Sequence, residues 1–152
     1  AQSGQHLTAY YSSHCGSGTN CYTPEKADAV AGQDPNDGPK TTDQWFNTGA
    51  FTDRAFFNAA GQPIFAGRFG NAEKGSITGP GFYVLDLGLF KDFAFAGSAR
   101  LRFQVQAQNA TNHPNLGNPV TNLTSPNYGK ITSLLPGTLG SRGVVAGARL
   151  SF

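Results

Sequence analysis

Methionine is absent from the 152 residues, charge is scarce, and apolar residues never run on for long. A chain without an initiator methionine is expected to be processed, or a fragment beginning at Ala1. Charged residues make up 13%, against about 25% in an average soluble domain, which disfavours both a charged disordered tail and a helical bundle. A net charge of +2 on scattered basic residues gives no electrostatic footprint for nucleic acid. No apolar run reaches about 18 residues, so no transmembrane helix is expected. Ala1-Gln2-Ser3-Gly4 lacks the basic start and apolar centre of a signal peptide. Cysteine is limited to Cys15 and Cys21. With only His14 and His6 near them, zinc binding is not favoured, and the spacing is not that of a redox CxxC. The expectation is a local Cys15–Cys21 disulfide that clips a glycine-rich loop and points to periplasm or cell exterior.

What is abundant is turn chemistry and aromatics: 20 Gly, 9 Pro and 12 Phe. These favour short strands joined by many turns. Residues 3–12 alternate Leu7, Ala9 and Tyr11 against His6, Thr8 and Tyr10, as a half-buried strand would. Residues 13–44 form a polar tract without periodicity, long enough to be a functional loop or a linker. Within it Asp34-Pro35-Asn36-Asp37-Gly38 misses the acidic spacing of an EF-hand and reads as ordinary turn residues. Trp45–Phe51 and Arg54–Asn58 are aromatic but irregular, the pattern of a loop that plugs a core.

The clearest strand spans Phe82 to Phe95. Tyr83, Leu85, Leu87, Leu89, Phe93 and Phe95 lie on one face, interrupted by Lys91, with Val84, Asp86, Gly88, Phe90 and Asp92 on the other. After a turn at Ala96-Gly97-Ser98, Arg100, Arg102, Gln104, Gln106 and Gln108 alternate with Leu101, Phe103, Val105 and Ala107. The two runs predict a long antiparallel hairpin. Tyr128–Leu135 is a weaker strand candidate, and Val144–Phe152 a strong one, with Ala146, Ala148, Leu150 and Phe152 on one face. Asn109-Ala-Thr and Asn122-Leu-Thr fit the N-glycosylation pattern but read best as polar loop residues.

The order of motifs is informative. Trp45-Phe46-Asn47-Thr48-Gly49-Ala50-Phe51 is followed by Arg68-Phe69-Gly70-Asn71, Gly79-Pro80-Gly81-Phe82 and Leu85-Asp86-Leu87-Gly88-Leu89-Phe90-Lys91. Then come Arg100-Leu101-Arg102-Phe103, Asn112-His113-Pro114-Asn115, Gly117-Asn118-Pro119, Tyr128-Gly129-Lys130-Ile131-Thr132 and a closing Leu150-Ser151-Phe152. Over residues 42–152 this series resembles the C-terminal end of TonB-dependent outer-membrane receptors, in the subgroup with a carboxypeptidase-regulatory-like domain. The resemblance implies a bacterial envelope origin, strands from the closing end of a large barrel, and a final aromatic offered to the barrel-assembly machinery. A barrel of about 22 strands at about 9–11 residues each needs more residues than this chain owns. Transport is therefore not carried over with the resemblance.

No enzyme is expected. His6, His14 and His113 fall in unrelated segments without a nucleophile elbow. Asp86 and Asp92 would stand about 20 Å apart along one strand, at about 3.3 Å per residue, too far for paired-carboxylate hydrolysis. The fold expected is all-β: an antiparallel sandwich or partial barrel, jelly-roll-like, with long loops. It divides into an N-terminal strand (1–12), a disulfide-clipped linker or loop (13–44) and a β domain (45–152). Too few strands to close leave an open edge, so a strand from a neighbouring chain is expected to complete the sheet. The favoured reading is a non-enzymatic, extracellular filament subunit whose partner is a copy of itself, with Leu7, Ala9 and Tyr11 as the donor strand. The alternative reading is the C-terminal strands of a TonB-dependent receptor barrel in the outer membrane. No cofactor or metal is implied by either.

Overall fold

A computed structural model describes residues 1–12, 24–62, 64–94 and 97–152. Among the described residues the strands are nine: β1 (His6–Leu7), β2 (Tyr10–Tyr11), β3 (Glu25–Lys26), β4 (Asp28–Ala29), β5 (Phe51–Thr52), β6 (Ile77–Thr78), β7 (Leu87–Ala94), β8 (Arg100–Gln108) and β9 (Gly143–Ser151). Two single 3₁₀ turns, Thr48–Ala50 and Arg54–Phe56, are the helical content of the described residues. All named strand pairs are antiparallel. The all-β expectation holds. The chain divides into two compact units.

The first unit comprises residues 1–2, 81–115 and 134–152, and is built on the sheet β7-β8-β9. Long strands form here because alternation is sustained through Leu87–Ala94, Arg100–Gln108 and Gly143–Ser151. The register sets Leu89 opposite Val105 and Val105 opposite Ala146, so the apolar sets of all three strands share a face. The ladder stops short of the expected start at Phe82. Beyond Leu87 the Asp86 carboxylate, not a carbonyl, accepts the Asn109 N–H (2.8 Å), and a side chain that replaces the backbone acceptor ends regular pairing. Phe82 pairs instead with Gln2. Phe95 lies outside the described residues.

The second unit comprises residues 3–80 and 116–133. Its three ladders, β1-β6, β2-β3 and β4-β5, are each two residues long, so it is held by its core more than by sheet. Ala9, Ala27, Phe46, Ala50, Phe51, Ala72 and Ile77 form that core, with Leu7, Trp45, Leu123 and Tyr128 packed against it. Phe46 meets Phe51 and Tyr128 edge-to-face (6.4 and 5.3 Å between ring centres), and Tyr11 stacks on Phe56 (4.8 Å). The aromatic plug expected at Trp45–Asn58 is therefore present.

Three expectations need correction. Residues 3–12 are two short strands rather than one, because Ala9 interrupts the ladder: its carbonyl accepts from Ala27 N–H (3.2 Å). Residues 24–44, part of the tract read as a linker, are built into the unit. Ala27 is fully buried there, and Gly70 comes so close to the Lys26 and Ala27 carbonyls that a Cβ would collide with both. Tyr128–Leu135 is turns rather than a strand, with Tyr128 N–H donating to Ser125 and Lys130 N–H to Asn127 (3.1 and 2.9 Å). The turn reading of Asp34–Gly38 stands: Asp34 Oδ1 accepts from Asn36 N–H (2.8 Å).

Truncating Phe46→Ala should destabilise the second unit by about 3–5 kcal/mol, as large buried aromatics do when a cavity is left. Chemical denaturation followed by fluorescence of Trp45, the chain's single tryptophan, measures it.

Candidate membrane-facing sheet and its polar face

The fully buried apolar residues among those described, from Ala9 to Ile131, all belong to the second unit. The sheet of the first unit has none. Its in-register apolar face carries Leu87, Leu89 and Phe93 from β7, Leu101, Phe103, Val105 and Ala107 from β8, and Val144, Ala146, Ala148 and Leu150 from β9. Lys91 is the one charged residue on it. Leu89 is 74% exposed and Leu150 52%, although such residues gain about 1.5–3 kcal/mol each from burial. Phe93 and Phe103 meet edge-to-face at 6.0 Å, forming an aromatic pair within that face.

The opposite face is polar: Arg100, Arg102, Gln104 and Gln106 on β8, Asp92 on β7, and Arg149 and Ser151 on β9, with Phe90 and Val145 among them. Asp92 and Arg102 are directly opposed and form a two-point ion pair (2.6 and 2.8 Å), as a fork of guanidinium N–H groups on a carboxylate allows. Arg102 also lies over the Phe90 ring at 5.6 Å. Strands β7 and β9 are the sheet's edges, each paired on one side.

At the end of the sheet away from the β7–β8 turn, asparagines organise the long connection from β8 to β9. Asn109 takes a left-handed conformation (φ 47°), which Asn tolerates better than most residues. Its amide brackets the turn, Nδ2 donating to the His113 carbonyl (3.0 Å) and Oδ1 accepting from His113 N–H (3.1 Å). Asn115 is likewise buried, with Oδ1 accepting from Tyr83 N–H (3.0 Å), and Tyr83 stacks on His113 (4.4 Å). Asp86, Asn109 and Asn115 line a cleft of about 280 Å³ together with Val84, Thr138 and Leu139.

The candidate residues fall as follows. Ala146, Ala148 and Leu150 stand on the apolar face as read; Phe152 lies one residue past β9 and is 90% exposed. Leu7, Ala9 and Tyr11 are engaged within their own chain. Leu7 pairs with Ile77 and Tyr11 with Glu25, and Ala9 and Tyr11 have no exposed surface. Cys15 and Cys21 lie outside the described residues. Asn122 accepts from Thr124 N–H (3.1 Å) and donates to Ser12 Oγ (3.2 Å), so both glycosylation-pattern asparagines are structural.

One buried polar pair and one half-exposed ion pair in the second unit carried no sequence signal. Tyr11 donates its hydroxyl to Glu25, and burial followed by this bond pushes the Tyr11 ionisation upward. Asp28 accepts both terminal nitrogens of Arg68 (2.7 Å each) and the Asn71 N–H (3.2 Å). The Arg68 hydrogen bonds hold the Asp28 carboxyl below its usual range, against the opposing effect of burial.

The chain matches the outer membrane beta barrel domain family over residues 1–144, and it belongs to that family. No curated protein and no solved structure matches it. The family supports the outer-membrane barrel reading over the filament subunit.

Replacing Val105, at the middle of the apolar face, with Arg should cost about 2–4 kcal/mol in a bilayer. Gln106→Arg on the opposite face should cost little, and urea unfolding in lipid vesicles compares the two. Asp28 gives a pH test. Its folded carboxyl binds a proton less readily than the unfolded one, so its stabilisation is complete above the ordinary carboxylate range near about pH 4 and is lost as pH falls below it. Asp28→Asn should flatten that acid limb of the Trp45 fluorescence profile.

Proposed function

We propose that this chain is a non-enzymatic wall segment of an outer-membrane β-barrel of the TonB-dependent receptor type, in the subgroup with a carboxypeptidase-regulatory-like domain. The observation that carries the reading is the division of β7-β8-β9 into an apolar face and a polar face by strict register. Strands of eight and nine residues at about 3.3 Å per residue, tilted by about 35–45°, cover about 19–24 Å along the membrane normal, close to the apolar band of about 25 Å. Leu89, Phe103, Val105 and Leu150 then face lipid, and Gln104 and Gln106 face the lumen. The connection between β7 and β8 is short and that between β8 and β9 is long. Barrels of this type carry short turns on the periplasmic side and long loops outside, which assigns Gly97 to the periplasmic end.

The open edges of β7 and β9 take their partners from the remaining strands of the same barrel, rather than from copies of the chain. The ordered motifs from Trp45 to Phe152 support the receptor subgroup.

The protein carrying this chain should sediment with outer membranes, resist extraction by carbonate and urea, dissolve in detergent, and run faster on gels unheated than boiled. Recovery from culture medium as detergent-free fibres would overturn the reading.

A further inference from the structure

The charge on the polar face of the sheet is gathered at one end. Asp92, Arg102 and Arg149 form one row across β7, β8 and β9, and Ala94, Arg100 and Ser151 form the next row toward the β7–β8 turn. Three guanidinium groups therefore share one carboxylate. That carboxylate is already engaged with Nε and Nη2 of Arg102. The side chains of Arg100 and Arg149 have no hydrogen bond among the described residues, and Arg149 stands directly opposite Arg102. Like charges opposed across a ladder destabilise it. Opposed residues lie about 4.5–5.5 Å apart at Cβ and diagonal ones about 7–8 Å, within reach of three long side chains converging on one group. A recess of about 160 Å³ lies between Asp92, Arg100, Arg102, Arg149 and Ser151.

We propose that this cluster is a binding site for a small free oxyanion of the phosphate type. Guanidinium forks match phosphate oxygens in pairs, so a phosphate held between Arg100 and Arg149 supplies the counter-charge that Asp92 cannot. Ser151 Oγ, at the same edge, donates to the Arg100 carbonyl (3.4 Å). A lipid headgroup is the wrong occupant, because lipid lies against the opposite face; that clause rests on the barrel reading, whereas the site itself follows from the sheet.

The test is calorimetric titration of the detergent-solubilised, phospholipid-free protein with inorganic phosphate. Saturable binding that weakens as chloride is raised is expected. Arg100→Gln or Arg149→Gln should weaken it about tenfold, and Arg149→Lys, which keeps the charge but loses the fork, by less. Asp92→Asn should tighten binding by releasing the Arg102 fork, an effect that a merely structural role for these residues would not give. Arg142→Gln, in the same unit but outside the cluster, should change nothing. Absence of saturable binding, affinity unchanged from the parent protein in both glutamine variants, weaker binding in Asp92→Asn, or occupancy only when phosphatidylglycerol is restored to the micelles would each overturn the proposal. Membrane fractionation reads the barrel assignment separately, so a phosphate-binding protein that failed to fractionate with membranes would sink that assignment and leave this site standing.

Discussion

Leu89, Phe103, Val105 and Leu150 stand exposed on one face of a three-stranded sheet, and the reading of that unit follows from its exposed apolar face. A soluble sheet buries its apolar side against a helix or another sheet. This one keeps its apolar side bare and its polar side charged, while both edges retain unpaired N–H and C=O groups. In hydrocarbon an unpaired backbone group costs several kcal/mol, and only closure into a barrel removes the edges. The apolar face needs lipid and the edges need more strands, and a barrel wall meets both needs at once.

The second unit solves a different problem. Its ladders are two residues long, so backbone pairing alone cannot hold it. Aromatic packing around Phe46 supplies the core, and side-chain amides and carboxylates tie the loops to it. Asn36 shows how: it donates to the Ser76 carbonyl and accepts from Thr78 N–H (2.8 Å each), doing for an irregular segment what a neighbouring strand would do. A chain with 13% charge uses asparagine for this work because an amide donates and accepts without the desolvation cost of a charge.

Much of the first unit was legible. Alternation over Leu87–Ala94 and Arg100–Gln108 is a local signal, and the faces it predicts are those the register realises. The second unit was legible only as composition. The burial of Ala27 beside two half-polar strands, the fork of Arg68 on Asp28 and the bond of Tyr11 to Glu25 join residues 14 to 40 positions apart, and no period marks such pairings. The N-terminal segment shows the risk of reading a strand without its neighbours: Leu7, Ala9 and Tyr11 alternate as a donor strand would, yet Ile77, Ala27 and Glu25 of the same chain take their bonds.

The sequence by itself determined the strand period and the sorting of apolar and polar side chains onto opposite faces, because each depends on neighbours one or two positions away. Tertiary structure alone decided that β9 joins the β7–β8 hairpin, that Arg149 faces Arg102, and that residues 24–44 are packed rather than loose. Those outcomes depend on contacts between distant segments, where the free energy of burial and of paired polar groups, not local preference, selects one arrangement.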